Sequence, residues 1–351
     1  MFAQVHIPQV LPHADLDAYL SKGWFRMGQT IFTTNFLRVR NEIFSTIWLR
    51  MKLDEYEADN TQIKLFKKNA GFRVTINPAT LTHEKEDLYA VYKESVPFQA
   101  SSSLEHLLLS GTAELNSIYT TYEVTVRDGD KLIACGFFDI GGTSAQGITS
   151  FYDPAYKKYS LGKYLIYLKI QYCKNVKLHY FYPGYFVPGN PYFDYKLTIG
   201  RSTLQFFSVV QEVWLSLEKF SNQNILVQVM HDRLAHVHTI VAKNGFESHI
   251  LKNEFFDVNL MPQLRDTGLF DFPVFLFFGA VDEDNFNPII VFDPRDGLYH
   301  LMECIPVWKP VESNPDQTFY SIYFLKVKEL DSSASGEEIV LRWDYLTHYS
   351  G

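Results

Sequence analysis

Residues 150–164 read "SFYDPAYKKYSLGKY", an Asp-Pro step followed by paired lysines, tyrosines and a Ser-Leu-Gly turn. Asp153 can accept or orient a proton. Lys157, Lys158 and Lys163 attract phosphates, and Tyr156, Tyr159 or Tyr164 can stack on an unpaired base. Ser160 stands where a helix N-cap belongs, and Gly162 keeps the next turn uncrowded. The N–H groups of such a turn form an anion site. Further on, Tyr185 follows the Pro183-Gly184 break, and Tyr195-Lys196 set a hydroxyl beside an ammonium group. Each feature also has a plainer reading: an Asx turn before proline for Asp153, capping without a ligand for Ser160, solvated lysines, and tyrosines that fill core or surface.

The charge is unevenly placed. The whole chain carries −8, yet residues 154–201 hold seven lysines and one arginine against the single acid Asp194, together with ten tyrosines. Residues 251–351 carry 17 Asp and Glu against 7 Lys and Arg. A basic, aromatic patch can bind a polyanion on an acidic protein, because salt screens charges beyond ~8–10 Å. Other chemistries find no support. Cys135, Cys173 and Cys304 are far apart and make no CxxC pair or disulfide framework. No Ser-His-Asp spacing, HExxH or Walker loop is present. His231 and His238 share a helix face that His236 leaves, which argues against a metal there. No metal and no cofactor are expected. No apolar run reaches the ~18–20 residues of a membrane span. The N-terminus lacks a signal-peptide pattern, so a soluble cytoplasmic protein with reduced thiols and no membrane contact is expected.

The elements follow from periodicity. "HADLDAYLSK" reads as a helix, and residues 30–51 as two strands. "DEYEADNTQIKLFKKNAG" is a helix stopped near Gly71, "FRVTINPAT" a strand, and "THEKEDLYAVYKESV" a helix with a capping-box pattern from Thr82, running to Pro97. "SSSLEHLLLS" is a short helix. From Ile118 the pattern is strand, Asp128-Gly129 turn, strand. A third strand, "AQGITSFYD", then a helix from Ser160 and the strand "KLHYFYPGYFV" follow. "STLQFFSVVQEVWLSLEKF" and "DRLAHVHTIVAKNGF" read as helices. The last hundred residues, "EEIVLRWDYL" included, read as short apolar runs between acidic turns, an antiparallel β appendage. The fold class is α/β (α+β), with a mixed sheet.

The middle of the chain resembles the arginyl-tRNA–protein transferases, including their bacterial leucyl-transferring branch. The resemblance rests on Tyr152-Asp153-Pro154, Ser160-Leu161-Gly162, Tyr182-Pro183-Gly184-Tyr185 and Tyr195-Lys196, in that order. "VTVRDGDKLIACGFFDI" is similar to the family's strand pair, and "WFRMGQTIF" to its Arg-x-Gly segment. The likeness spans roughly residues 20–245. In one place the sequence departs: the family carries clustered cysteines after Arg-x-Gly, whereas "FTTNFLRVRNEIFSTIW" has none.

The resemblance implies a GNAT-like acyltransferase domain at 116–250, a small N-terminal α+β region at 1–115, and an acidic C-terminal appendage at 251–351. It also implies transfer of arginine or leucine from aminoacyl-tRNA to the N-terminal amine of acceptor proteins or peptides beginning with Asp or Glu, marking them for degradation. Asp153, Tyr195 and Lys196 are then the catalytic candidates. Lys157, Lys158, Tyr159, Ser160, Gly162 and Lys163 would hold tRNA, and Arg26, Tyr152 and Tyr185 substrate. Arg26 would grip an acceptor carboxylate bidentately. The donor ester is already activated and an α-amine has a pKa of about 8, so neither a nucleophilic Cys nor a metal is required. The alternatives are another GNAT-like transferase, dependent on acyl-CoA or building peptide bridges, and a non-catalytic adaptor for N-termini.

Overall fold

The structure is a computed structural model describing residues 1–96, 100–110, 117–278, 287–308 and 319–348, with the side chains of 347 and 348 left aside. Pro97, the expected end of one helix, lies outside the described residues. The strands are β1 (Ala3–His6), β2 (Phe25–Met27), β3 (Thr30–Thr34), β4 (Phe36–Val39), β5 (Glu42–Ser45), β6 (Ile47–Lys52), β7 (Arg73–Pro78), β8 (Thr121–Asp128), β9 (Lys131–Ile140) and β10 (Ser144–Tyr152). They continue with β11 (Tyr180–Phe186), β12 (Leu204–Ser208), β13 (Val213–Ser216), β14 (His249–Asn253), β15 (Val274–Phe277), β16 (Asn287–Asp293), β17 (Leu298–Trp308), β18 (Phe319–Tyr320) and β19 (Tyr323–Ser333). The helices are α1 (His13–Ser21), α2 (Asn60–Lys68), α3 (His83–Ser95), α4 (Leu104–Leu109), α5 (Leu161–Asn175), α6 (Leu226–Lys243) and α7 (Gly336–His348).

The central sheet has eight strands in the order β13-β12-β6-β11-β10-β9-β8-β7. Its hairpin β8–β9 closes at Gly129, whose φ of +58° suits glycine. β10 and β11 run parallel, as a βαβ crossover through α5 requires. Leu161, Leu165, Leu168 and Ile170 bury the inner face of α5 against the sheet. β1, β3 and β2 form a small separate sheet, and β4–β5 a hairpin. The stretch 30–51, expected as two strands, thus makes four, because the chain reverses between β4 and β5.

The C-terminal region is a six-stranded sheet, antiparallel except where β14 pairs β18, with α6 and α7 packed beside it. Two expected elements change identity. "STLQFFSVVQEVWLSLEKF" is the hairpin β12–β13, because Leu204 and Phe206 pair with Met51 and Leu49 on the edge of β6. "EEIVLRWDYL" is α7, burying Ile339, Val340 and Trp343 along one helical stripe. Thr82 precedes α3, but its side chain makes no capping bond. No described helix is long and apolar enough to cross a membrane.

Candidate active site

The β10–β11 pairing is short. Ser144, Ala145 and Gln146 match Tyr180, Phe181 and Tyr182, and there the register ends. β10 bulges between Gly147 and Thr149 against β9, and β11 is irregular between Phe181 and Gly184 against β6. Gly184 has a φ of +88°, which the Pro183-Gly184 break supplies. The two strands therefore part, and a cavity of about 410 Å³ opens between them.

Its walls come from distant parts of the chain. Phe25, Phe32, Trp48, Tyr185 and Phe193 form an aromatic box, with Phe25 stacked on Trp48 at 3.7 Å and Tyr185 stacked on Phe193 at 5.5 Å. Lys196 enters from the 3-10 turn Pro191–Thr198. Its Nζ donates to the Tyr185 carbonyl at 2.7 Å and lies over the Tyr185 and Phe193 rings at 5.3 and 5.4 Å. Burial pushes its pKa down to about 8. His106 on α4 adds a second ionisable nitrogen base to the rim. No Asp or Glu is among the described lining residues. Tyr185 and Lys196, two of the residues singled out by sequence, thus meet in one cleft.

Arg26 lines the same cavity, but its guanidinium is already engaged. It donates to Asp139 at 2.8 Å, Thr121 Oγ1 at 2.9 Å, the Gly28 carbonyl at 2.7 Å and the Leu108 carbonyl, and it lies 4.4 Å from the Tyr119 ring centroid. The Arg26 and Asp139 side chains are 3% and 0% exposed. Gln146 completes the network, donating to Asp139 at 2.9 Å. The expected bidentate grip on an acceptor carboxylate is therefore corrected: Arg26 is a buried brace joining β2, β8, β9 and α4, and its charge is spent on Asp139.

The remaining candidates gather at the start of α5. Asp153 accepts from the Ala155 N–H at 2.9 Å, an Asx turn, and pairs with Lys131 at 2.7 Å. Lys131 holds its carboxyl below the usual range, which makes it a weak proton acceptor. Asp153 does not line the cavity. Ser160 is not the side-chain cap expected: it is left-handed (φ 52°, ψ 44°), and its hydroxyl caps nothing. The first helical bond runs from the Tyr164 N–H to the Ser160 carbonyl, so the Leu161, Gly162 and Lys163 N–H groups precede the ladder and receive no side-chain cap. Lys157 and Lys158 are exposed beside them.

Tyr159 packs edge-on against Phe72 at 5.0 Å, with Lys158 5.1 Å from its ring. Tyr152 packs at 5.5 Å from Tyr92 and lies against Gly162, where a Cβ would meet its ring at 3.4 Å. Tyr195 is 46% exposed and does not line the cavity. Lys163 ties the two regions together, donating to Thr198 Oγ1 at 3.0 Å, which in turn donates to the Tyr195 carbonyl at 2.7 Å.

Sequence reasoning missed the aromatic box, His106, Gln146 and Asp139. One signal was available. A break at Pro183-Gly184 on one strand of a βαβ unit points to the facing strand, residues 144–152, as the other lip of a cleft.

Among the described residues, no group of three or more His, Cys, Asp or Glu could hold a metal ion. Cys135, Cys173 and Cys304 are free and buried.

The family described as "Arginine-tRNA-protein transferase, C terminus" matches residues 84–205. The aspartate/glutamate leucyltransferase of Leptospira interrogans is 29% identical over 192 residues, covering 54% of this chain and 73% of that protein. The Campylobacter jejuni protein of the same name is 28% identical over 183 residues, covering 50% and 74%. Among solved structures, FemX overlaps at TM-score 0.34 and 8% identity, over 54% of this chain and 64% of that one. L-PGS from Bacillus licheniformis overlaps at TM-score 0.30 and 13% identity, over 49% and 50%. Residues 84–205 thus match the arginyl-tRNA–protein transferase family, and the chain is an aminoacyltransferase.

Proposed function

We propose that this transferase moves a leucyl group from charged tRNA to the N-terminal α-amine of acceptors beginning with Asp or Glu, in the cleft between β10 and β11. The observation that carries the choice of donor is the lining. An arginyl side chain would call for a carboxylate, and the described walls supply none; a leucyl side chain fits the aromatic box. The ammonium of Lys196, without a carboxylate partner among the described residues, and His106 in the same lining suit an acidic acceptor and a developing oxyanion.

In this reading the acceptor nitrogen attacks the ester carbonyl. The N–C bond forms, the bond to the tRNA ribose oxygen breaks, and the proton released by the amine goes to that oxygen. Lys196 stabilises the oxyanion, and Tyr185 holds Lys196 in place through its carbonyl. The open helix start at Leu161–Lys163, with Lys157 and Lys158, takes phosphates near the tRNA 3′ end. Tyr152, Tyr159 and Tyr195 border that path. Asp153 acts by shaping the turn that presents the lysines. Parted parallel strands above a helix start are what a GNAT-like catalytic unit needs, and this supports such a unit at 116–250. In the same reading region 1–115 lends Phe25, Trp48 and His106 to its walls, and 251–351 stands as an appendage.

The test is direct. Purified protein is mixed with leucyl- or arginyl-charged tRNA and a peptide starting with Asp, Glu or Ala, and the peptide mass is read. Leucine on the acidic peptides is expected. Folded protein that modifies no peptide with any charged tRNA overturns the function, and arginine transfer at an equal rate overturns the donor assignment.

A further inference from the structure

The mechanism leaves a buried amine on α5 unused. Lys169, on the inner face of α5, is 2% exposed. Its Nζ donates to the Thr149 carbonyl at 2.7 Å, the Phe137 carbonyl at 2.9 Å and the Ser150 hydroxyl at 3.0 Å. Phe137 and Thr149 are partners across β9 and β10, and they stand immediately after the register shift. Gly147 faces Phe138 and Thr149 faces Phe137, so Ile148 is the extra residue of a β-bulge. Gly147 and Ile148 are also the β10 residues that line the cavity beyond Gln146. A bulge leaves ladder carbonyls without partners, and such groups are costly when buried. Here two carbonyls and a hydroxyl converge on one nitrogen. Gly136 makes room for it, since a Cβ there would stand 2.9 Å from Nζ and 3.1 Å from Ser150 Oγ.

We propose that Lys169, as its ammonium ion, is a positioning residue that pins the β10 bulge and so fixes the lip of the transfer cleft. Its function in catalysis rests on the reading of that cleft given above; its hold on the bulge does not. Three acceptors call for three N–H groups, which only the ammonium form has. The groups around it give little electrostatic help. Cys135 on β9 and Cys173 on α5 are thiols whose pKa values burial pushes up to about 12. Asp139, further along β9, is occupied by Arg26, Thr121 and Gln146. Burial accordingly lowers the Lys169 pKa to about 7. Rising pH thus removes the third donor and frees one acceptor at the bulge.

Two substitutions test this in the full chain. Lys169→Met keeps the length and removes the donors. Gly136→Ala leaves the lysine and pushes a methyl group toward it. In Lys169→Met, kcat for transfer is expected to fall about 10²-fold, the cost of displacing reacting groups by about 1 Å, with KM for charged tRNA unchanged. Hydrogen exchange at 147–150, corrected for intrinsic rates, should speed up in wild type as pH rises through 7, and be fast and flat in the variant. Gly136→Ala should act in the same direction, and add little in the Lys169→Met background. Exchange at 147–150 that ignores both pH and substitution overturns the pinning, whether or not the protein transfers leucine. Altered exchange with unchanged kcat overturns the catalytic part alone. Should Lys169→Met fail to fold, the wild-type pH series and Gly136→Ala decide the question.

Discussion

Replacing Lys196 with methionine probes the charge on the cleft wall. Among the described residues this ammonium group has a single hydrogen bond, to the Tyr185 carbonyl, and two aromatic faces, with no carboxylate partner. Its charge is therefore available to a substrate anion. At 4 Å and an effective dielectric of ~20, a unit charge pair is worth about 4 kcal/mol. Removing one oxyanion donor typically costs ~2.7–4 kcal/mol, or about 10²–10³ in kcat. Lys196→Met should therefore lower the single-turnover rate with saturating leucyl-tRNA by about 10²–10³, with the affinity for tRNA little changed, since the groups proposed to take phosphates lie at the start of α5. The pH dependence sharpens the test. Lys196 is charged below about 8 and neutral above it. The ratio of wild-type to variant rates cancels the ionisation of the acceptor amine, and should shrink as pH rises through 8. Stability moves too. Burial sets the native pKa below the unfolded value of 10.5, so the unfolded chain binds the extra proton between about 8 and 10.5. Stability from this group rises with pH across that window, and the slope should vanish in the variant. A folded variant whose rate stays within about threefold of wild type, less than ~1 kcal/mol of barrier, refutes the role.

Asp139→Asn should destabilise the protein by about 3–5 kcal/mol in urea unfolding, because it strands the Arg26 charge in a site that is 3% exposed; the double replacement Arg26→Met with Asp139→Leu should recover most of that loss. The pair Lys157→Glu and Lys158→Glu should weaken tRNA binding and lower the salt dependence of log K by about 1.4–1.8, since each lysine that neutralises a phosphate contributes ~0.7–0.9 to the slope. An unaltered salt slope would remove these lysines from the tRNA path.

The parts of the fold that sequence made legible are those whose local signals had one solution. The β8–β9 hairpin follows from Asp128-Gly129, and α5 from Leu161, Leu165 and Leu168 on one stripe, all three buried. Residues 202–220 had two solutions. Apolar residues at 204, 207, 210, 214 and 217 fit a helix, while the alternation of Leu204, Phe206 and Ser208 fits a strand. The open edge of β6 decided for the strand by offering ladder partners, and that edge is a tertiary fact. In α7 the opposite happened. A short apolar run reads as a strand until the core shared by α6 and the C-terminal sheet takes in Ile339, Val340 and Trp343.

The same logic separates the site residues whose charge faces the cleft from those engaged elsewhere. Lys196 could be picked out because it follows the Pro183-Gly184 break closely enough for the chain to fold back on it, and its Nζ lies 3.3 Å from where a Gly184 Cβ would be. Arg26 looked equally available, but its counter-charge lies 113 residues away in sequence, so no local pattern could reveal that its guanidinium was taken. Asp153 and Ser160 both stand at the start of α5, and each is engaged otherwise than its residue type suggests. Asp153 spends its charge on Lys131 and its own turn, while Ser160 leaves the helix start open by declining to cap it. In the proposed tRNA reading both outcomes serve one end. A capped start would compete with a phosphate for the Leu161–Lys163 N–H groups, and a free Asp153 carboxylate beside Lys157 and Lys158 would repel one. In that reading, pairing the acid with Lys131 and turning Ser160 left-handed leaves a positive path from the surface lysines, past Lys163 and Thr198, to the turn that carries Lys196.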